Sequence, residues 1–200
     1  MPRVDPCGSP PPGETVKLLE AAEGPCTIGL VLAATTGMRR GEVLRLTWSD
    51  VDLDAATLHV REGKTPRSRR QISLPPVTIA ALKRHRAEQA ERRLICGEAW
   101  TDSGLVVDRG DGGAVHPDVL SHAFERAAQK AGLKGTRLHD LRHAYASTLL
   151  ASGVNVKIVS EALGHASSSF TLDTYAHVLP AMGEQAAAAI EAAFSGGGPA

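Results

Sequence analysis

Aromatic side chains and cysteines are both scarce in this chain. Phe, Trp and Tyr together make up 4% of its 200 residues, so the core must be built mainly from Leu, Ala, Val and Ile, which suits packed helices. The three cysteines, Cys7, Cys26 and Cys96, are an odd number without the spacing of a disulfide framework or a zinc site. They indicate reduced thiols in a cytoplasmic protein.

The chain also has little that points to a membrane. The apolar run at 28–34 falls far short of the ~20 residues that a membrane-spanning helix needs. The Pro-rich start at 1–13 lacks the basic and apolar parts of a signal peptide. We therefore expect no membrane function, and we predict that residues 1–13 form a flexible lead-in.

Excess charge of either sign is missing as well, because 22 Lys and Arg balance 22 Asp and Glu. Taken alone, this balance argues against a nucleic-acid partner. However, all but three of the Lys and Arg residues lie between Arg39 and Arg142. A locally basic surface is therefore available to attract phosphate.

Apolar residues recur at helical spacing through most of the chain. Helices are predicted at 14–23, 27–35, 41–46, 77–94, 118–131, 139–151 and 155–163, followed by a short one carrying Tyr175 and a last one at 181–194. Residues 57–60 and 70–74 alternate like two strands, which the polar connection 62–68 joins into a hairpin. The expected fold class is mainly α with a small antiparallel β-sheet (α+β), with one domain at 14–179, a C-terminal helix at 180–194 and a flexible tail at 195–200.

Residues that handle protons or phosphate charge are concentrated between Thr136 and His177. His139 and Arg142 are three residues apart, so on a helix they share one face. An arginine fork matches two phosphate oxygens, and a histidine can exchange a proton near neutral pH. With His165 and Tyr175 following, the stretch points to chemistry on a phosphodiester.

A metal site is the rival interpretation of the same stretch. The sequence His139-Asp140-Leu141-Arg142-His143 is similar to the zinc-protease pattern His-Glu-x-x-His, and histidines four apart on a helix can share a metal. Asp is one methylene shorter than the usual general base, and Arg142 brings positive charge close to the cation. We therefore expect no metal and no cofactor, with a zinc-dependent hydrolase as the minor alternative.

Several motifs in order resemble the catalytic domain of tyrosine recombinases, the phage-integrase family. The segment 36–42, Thr-Gly-Met-Arg-Arg-Gly-Glu, resembles that family's first arginine motif, and Gly63-Lys64-Thr65 resembles the hairpin that carries its lysine. The segments 139–143, 163–165 and 171–177 resemble the remaining motifs. The match runs from about 14 to 178.

The resemblance implies that this chain cuts and rejoins DNA through a 3′-phosphotyrosyl intermediate. Tyr175 would attack the phosphorus, Lys64 would protonate the leaving 5′-oxygen, and His139 would accept the tyrosine proton. The implied catalytic residues are Arg39, Lys64, His139, Arg142, His165 and Tyr175. Three others, Glu42, Asp140 and His143, are expected to hold these side chains in orientation.

The implied partner is double-stranded DNA, with self-association on DNA as a dimer to tetramer and no nucleotide cofactor. The expected DNA-binding residues are Arg40, Arg67, Ser68, Arg69, Lys134 and Arg137. The protein would act in the cytoplasm, at the nucleoid, and its last helix would either cover its own core or dock into a neighbour.

Two other functions fit the same motifs. One is DNA relaxation of the type IB topoisomerase kind, which shares the tyrosyl chemistry. The other is a truncated DNA-binding remnant without activity, because family members normally carry an N-terminal clamp domain that residues 1–13 cannot supply. We expect that clamp domain to be absent.

Overall fold

The computed structural model of the protein describes residues 9–61, 69–165, 167–176, 190–191 and 194. The helices are α1 Pro12–Glu20, α2 Thr27–Thr36, α3 Arg40–Arg45, α4 Pro76–Cys96, α5 Pro117–Lys130, α6 Asp140–Ala151, α7 Val156–Leu163 and α8 Ser168–Tyr175. The strands are β1 Val51–Asp52, β2 Thr57–Val60 and β3 Arg70–Ser73, which form one antiparallel sheet in that order. Short 3₁₀ turns lie at Trp48–Asp50 and Gly97–Ala99.

The predicted fold class is confirmed, and the predicted helices up to α8 appear with bounds shifted by a few residues at most. The sheet was predicted incompletely, since only the two strands at 57–60 and 70–74 were expected. Instead Val51 pairs with Leu58 and Asp52 with Thr57, which adds β1 at the edge. A two-residue strand is too short to carry a readable alternation.

Two predicted segments fall largely or wholly outside the described residues. The hairpin connection 62–68 contains Lys64, Arg67 and Ser68, and the last helix was expected at 181–194. Among the described residues, no helix is both long and apolar enough to cross a bilayer.

Helix α2 is the centre of the molecule. It is apolar nearly all round, buries Ile28, Leu30 and Leu32, and packs against α1, α3, α4, α5 and α6. It ends at Gly37, whose φ of 65° is left-handed, and a Cβ there would lie 2.5 Å from the Cδ1 atom of Tyr145. Glycine is therefore required at the turn that leads into α3 and sets Arg39 beside α6.

A small second core lies between α6, α7 and α8. It consists of Ala146, Leu150, Val159, Leu163 and Tyr175, each at most 1% exposed. Full burial of a leucine contributes about 2 kcal/mol, so these contacts fix α8 against α6. They also turn Tyr175 towards the first turns of α6.

Candidate active site

The start of α6 is set by a carboxylate in its first turn. Asp140 accepts a hydrogen bond from the backbone N–H of Arg137 at 2.7 Å, and its negative charge suits the positive end of the helix dipole. Asp140 was expected to hold an arginine or a histidine in orientation. Its observed contact is with the backbone, which positions His139 and Arg142 through the helix itself.

Arg142 is buried at 4% exposure and joins two other helix ends. Its guanidinium donates to the carbonyl oxygen of Gly37, just beyond α2, and to that of Leu163 in α7, the latter at 2.6 Å. Burial lowers the pKa of Arg142 to about 10, and the charges of Arg39 and Arg70 act in the same direction. The side chain is still a cation at neutral pH, held in a fixed place.

Arg39 lies just before α3 and is more accessible, with 42% of its side chain exposed. Its guanidinium donates to Glu42 at 2.9 Å and to the carbonyl oxygen of Gly164 at 3.2 Å. Its backbone N–H also donates to the Glu42 carboxylate, which caps α3. The first arginine motif is thereby tied to the turn that carries His165.

Glu42 has a second arginine partner, Arg70 of β3, which the sequence-based list of site residues omitted. The two side chains form a buried pair, with 6% of Arg70 and 4% of Glu42 exposed and a closest contact of 2.9 Å. Arg70 Nε donates to the carbonyl oxygen of Ala162 at 2.6 Å. A usable signal was the alternation of β3, because Arg70 shares a face with the buried Ile72 and a charge on that face needs a buried carboxylate.

His165 follows the left-handed Gly164 that ends α7. Its Nδ1 lies 2.8 Å from the hydroxyl of Thr171, and its ring meets Phe170 edge to face. Burial lowers the pKa of His165 to about 4, with the charge of Arg142 and then that of Arg39 adding to the effect. The imidazole is therefore neutral at physiological pH and offers one N–H donor. Thr171, which is fully buried, was not among the predicted site residues.

Tyr175 places its hydroxyl against a histidine of α6. The distance from its oxygen to Nδ1 of His143 is 2.7 Å, and the tyrosine is 1% exposed. The ring of His143 in turn meets that of His139 edge to face, with 4.9 Å between centroids. The residue expected to accept the tyrosine proton was His139, and the one in contact with the hydroxyl is His143.

The site thus gathers Arg39, Glu42, Arg142, His165 and Tyr175 from four separate segments. A family model described as the phage integrase family matches residues 13–182. The chain belongs to the phage integrase family. The expected family resemblance is confirmed.

A "Tyrosine recombinase XerC-like" protein of Caldanaerobacter subterraneus subsp. tengcongensis is 32% identical to this integrase-family chain over 193 residues. The alignment covers 84% of this chain and 49% of that protein, so the chain spans about half of this relative's length. The crystal structure of XerA recombinase matches with a TM-score of 0.71 and 26% identity, over 86% of this chain and 60% of that one.

A second solved structure is that of XerH site-specific recombinase bound to a palindromic difH substrate in a post-cleavage complex. It has a TM-score of 0.68 and 26% identity, over 92% of this chain and 53% of that one. The fold of this family member is that of the tyrosine recombinase catalytic domain.

A cavity of about 310 Å³ opens beside the start of α6 in this integrase domain, and we call it the α6 cavity. Arg40, Arg137, His139 and Arg142 line it together with Ser121 and Glu125. Burial lowers the pKa of His139, and the neighbouring His143 and Arg142 add to the effect, so this ring is mainly neutral. Three cationic groups facing one hollow favour an anion such as phosphate.

The predicted DNA-binding residues that the structure describes do not all lie in the same place. Arg40 and Arg137 line the α6 cavity, and Lys134 is exposed nearby in sequence. Arg69 and Arg61 line an open groove of about 740 Å³ along β2 and β3. Arg67 and Ser68 lie outside the described residues, as does Lys64.

The rival zinc interpretation would use His139 and His143 of α6. Nδ1 of His143 is engaged by the Tyr175 hydroxyl. Over the described ranges, no group of three His, Cys, Asp or Glu side chains is arranged to hold a metal ion.

Replacing Glu42 by Gln should reduce the stability of this integrase domain strongly near neutral pH. Removing one partner of a buried ion pair costs about 3–5 kcal/mol, because the other charge stays buried. Burial by itself would raise the pKa of Glu42, but hydrogen bonds and charges from Arg70 and Arg39 outweigh it and hold the pKa below 4.5. The stabilisation is therefore complete above the unfolded-state pKa and is lost as the pH falls through the lower folded-state pKa.

The measurement is the free energy of unfolding in urea for wild type and Glu42→Gln, from about pH 7 to about pH 3. The gap between the two proteins should narrow as the pH falls. Glu91→Gln, at an exposed position of α4, is the matched control. A gap that is constant with pH would contradict the ion-pair role.

Proposed function

We propose that this chain is the catalytic domain of a site-specific DNA recombinase that cuts and rejoins double-stranded DNA through a 3′-phosphotyrosyl intermediate. The observation that carries the proposal is the convergence of a tyrosine hydroxyl with two arginines and neutral histidines drawn from distant segments. The XerH site-specific recombinase, which shares this fold, is bound to its palindromic difH substrate in a post-cleavage complex, and we extend substrate cleavage to this chain.

The first step is attack by the Tyr175 oxygen on a DNA phosphorus. The new O–P bond forms as the bond to the 5′-oxygen breaks, and Lys64 donates a proton to that oxygen. The phosphotyrosyl ester retains the bond energy of the phosphodiester, so another 5′-hydroxyl can displace tyrosine without ATP.

Arg39 and Arg142 supply positive charge to the non-bridging oxygens, where negative charge grows in the transition state. Arg142 is already fixed by two backbone carbonyls, so little reorganisation accompanies the reaction. His165, neutral at physiological pH, adds a hydrogen bond to the same oxygens.

DNA would approach along the basic surface that contains the α6 cavity and the groove beside β2 and β3. Arg40, Arg137 and Arg69 are the described candidates for contacts with the phosphate backbone, which carry affinity without sequence information. We propose further that copies of the chain associate on DNA as dimers to tetramers, and that they act in the cytoplasm at the nucleoid.

The proposal predicts a covalent adduct in which the protein is joined to the 3′ end of the cleaved strand. Duplexes with a nick and a randomised sequence around it trap the intermediate, because the short cleaved fragment diffuses away. A label on the 5′ end of the cleaved strand should remain with the protein on a denaturing gel, and a label on the 3′ fragment should be released.

An adduct that retains the 3′ fragment would contradict the proposed chemistry, and binding without any adduct would favour a non-catalytic DNA-binding remnant. To distinguish a topoisomerase, the protein is supplied in parallel with two differently labelled duplexes and with a supercoiled plasmid. Transfer between two bound duplexes supports recombination, whereas relaxation of supercoiled plasmid without transfer would indicate topoisomerase activity.

A further inference from the structure

Helix α6 presents two histidines to the site, and they face different neighbours. His139, at the start of the helix, lines the α6 cavity with Arg40, Arg137 and Arg142. His143, one turn later, contacts the Tyr175 hydroxyl through Nδ1 at 2.7 Å. The two rings touch edge to face, so each limits where the other can turn.

We infer that His143, rather than His139, is the general base that takes the phenolic proton of Tyr175. The inference rests on the proposed function, since it assigns a role within the same reaction. It adds a catalytic residue whose ring touches a reacting atom, and it leaves His139 for the phosphate.

His143 and the Tyr175 hydroxyl already lie at hydrogen-bond distance. A general base must lie within about 2.6–3.2 Å of the group whose proton it removes, and His143 meets that condition without any movement. Of the two, His143 is the base that the geometry provides.

The packing around Tyr175 also favours His143 as the base. The tyrosine lies in the small core with Leu150, Val159 and Leu163, and α6 carries both His143 and part of that core. The hydroxyl and the imidazole are therefore positioned by the same contacts. Such shared support is what keeps a nucleophile and its base in register.

The surroundings of His139 suit contact with a phosphate. Its ring faces the α6 cavity, which Arg40, Arg137 and Arg142 also line and which would suit a phosphate of the DNA backbone. A mainly neutral imidazole there can donate one hydrogen bond to a phosphate oxygen without losing its proton. With His139 at the phosphate and His143 at the tyrosine, neither ring has to leave its observed position.

Two protons move in the forward direction. The proton of the Tyr175 hydroxyl passes to Nδ1 of His143, giving an imidazolium, while the phenolic oxygen forms its bond to phosphorus. The bond from phosphorus to the 5′-oxygen breaks, and that oxygen takes the proton of Lys64. On rejoining, His143 returns its proton to the departing phenolate.

The first test is the single-turnover rate of adduct formation with the nicked duplexes described above. His143→Asn keeps a polar group near the Nδ1 position but cannot accept a proton, so the rate should fall by about 100-fold or more. His122→Asn, at an exposed position of α5, is the matched control and should leave the rate unchanged. A wild-type rate in His143→Asn would overturn the inference.

A substrate with sulfur in place of the 5′-bridging oxygen distinguishes proton removal from Tyr175 from proton donation to the leaving group. A thiolate leaves without a proton because a thiol is far more acidic than an alcohol, with a pKa of about 8.5. The loss in His143→Asn should persist on this substrate. If the sulfur restores the rate, His143 acts on the leaving group and the inference is wrong.

The second test needs no DNA. The chain has two tyrosines, so Tyr145→Phe leaves Tyr175 as the only one, and its ¹³Cζ resonance in labelled protein reports its hydroxyl alone. In that background His143→Asn should shift the resonance, and His122→Asn should not. An unchanged resonance would overturn the contact itself. Absence of any adduct in wild type would instead count against the proposed function.

Discussion

The Tyr175→Phe variant is expected to form no covalent adduct with DNA while keeping its fold. The substitution removes the one oxygen that would bond to phosphorus and leaves the ring to fill the small core with Leu150 and Leu163. Losing one hydrogen bond to His143 should cost about 1–3 kcal/mol of stability, which thermal unfolding will detect. The measurement is adduct yield on the nicked duplexes after a long incubation.

Tyr145→Phe is the matched control, since it is the same substitution at the only other tyrosine. Tyr145 packs its ring against the Gly37 turn, and burial raises the pKa of its hydroxyl, which does not suit a nucleophile. The control should form adduct at the wild-type rate. An adduct that survives in Tyr175→Phe, or one that disappears in Tyr145→Phe alone, would place the nucleophile elsewhere.

The Arg142→Ala variant should show the second large effect, on both rate and stability. Removing a preorganised donor to a developing oxyanion typically lowers a rate by about 10²–10³-fold. The substitution also leaves the carbonyl oxygens of Gly37 and Leu163 without their arginine partner, at about 1–3 kcal/mol each. We therefore expect a lower melting temperature together with loss of adduct.

Two further variants separate chemistry from folding. Arg39→Ala removes a half-exposed arginine of the same site, so it should lose the adduct with a smaller loss of stability. Arg126→Ala, at an exposed position of α5, should change neither. DNA binding should persist in all three, since each removes at most one phosphate contact. A fully active Arg142→Ala protein would contradict the proposed charge stabilisation.

The sequence was sufficient to predict most helices because their signals are local. A continuous apolar run marks α2, periodic apolar residues mark α6 and α7, and Gly37, Gly153 and Gly164 follow where these helices stop. The motif resemblance also identified Arg39, Glu42, Arg142, His165 and Tyr175, which the fold brings to one place. Their roles in the reaction remain predictions.

The contacts between distant segments could not be predicted in the same way. The hydrogen bond between Tyr175 and His143 depends on how α8 packs against α6. No spacing rule selects His143 over His139, because both lie on the same helix face. The pairing of Glu42 with Arg70 depends on where β3 lies relative to α3. Of the hairpin arginines that the structure describes, Arg61 and Arg69 are exposed and the side chain of Arg70 is buried.

The most direct measurement is the identity of the residue joined to DNA. The trapped adduct is digested with nuclease and protease, and the peptides are sequenced by mass spectrometry. The account predicts a nucleotide linked through its 3′-phosphate to Tyr175 and to no other residue. A nucleotide attached to a different side chain, or attached through a 5′-phosphate, would contradict it.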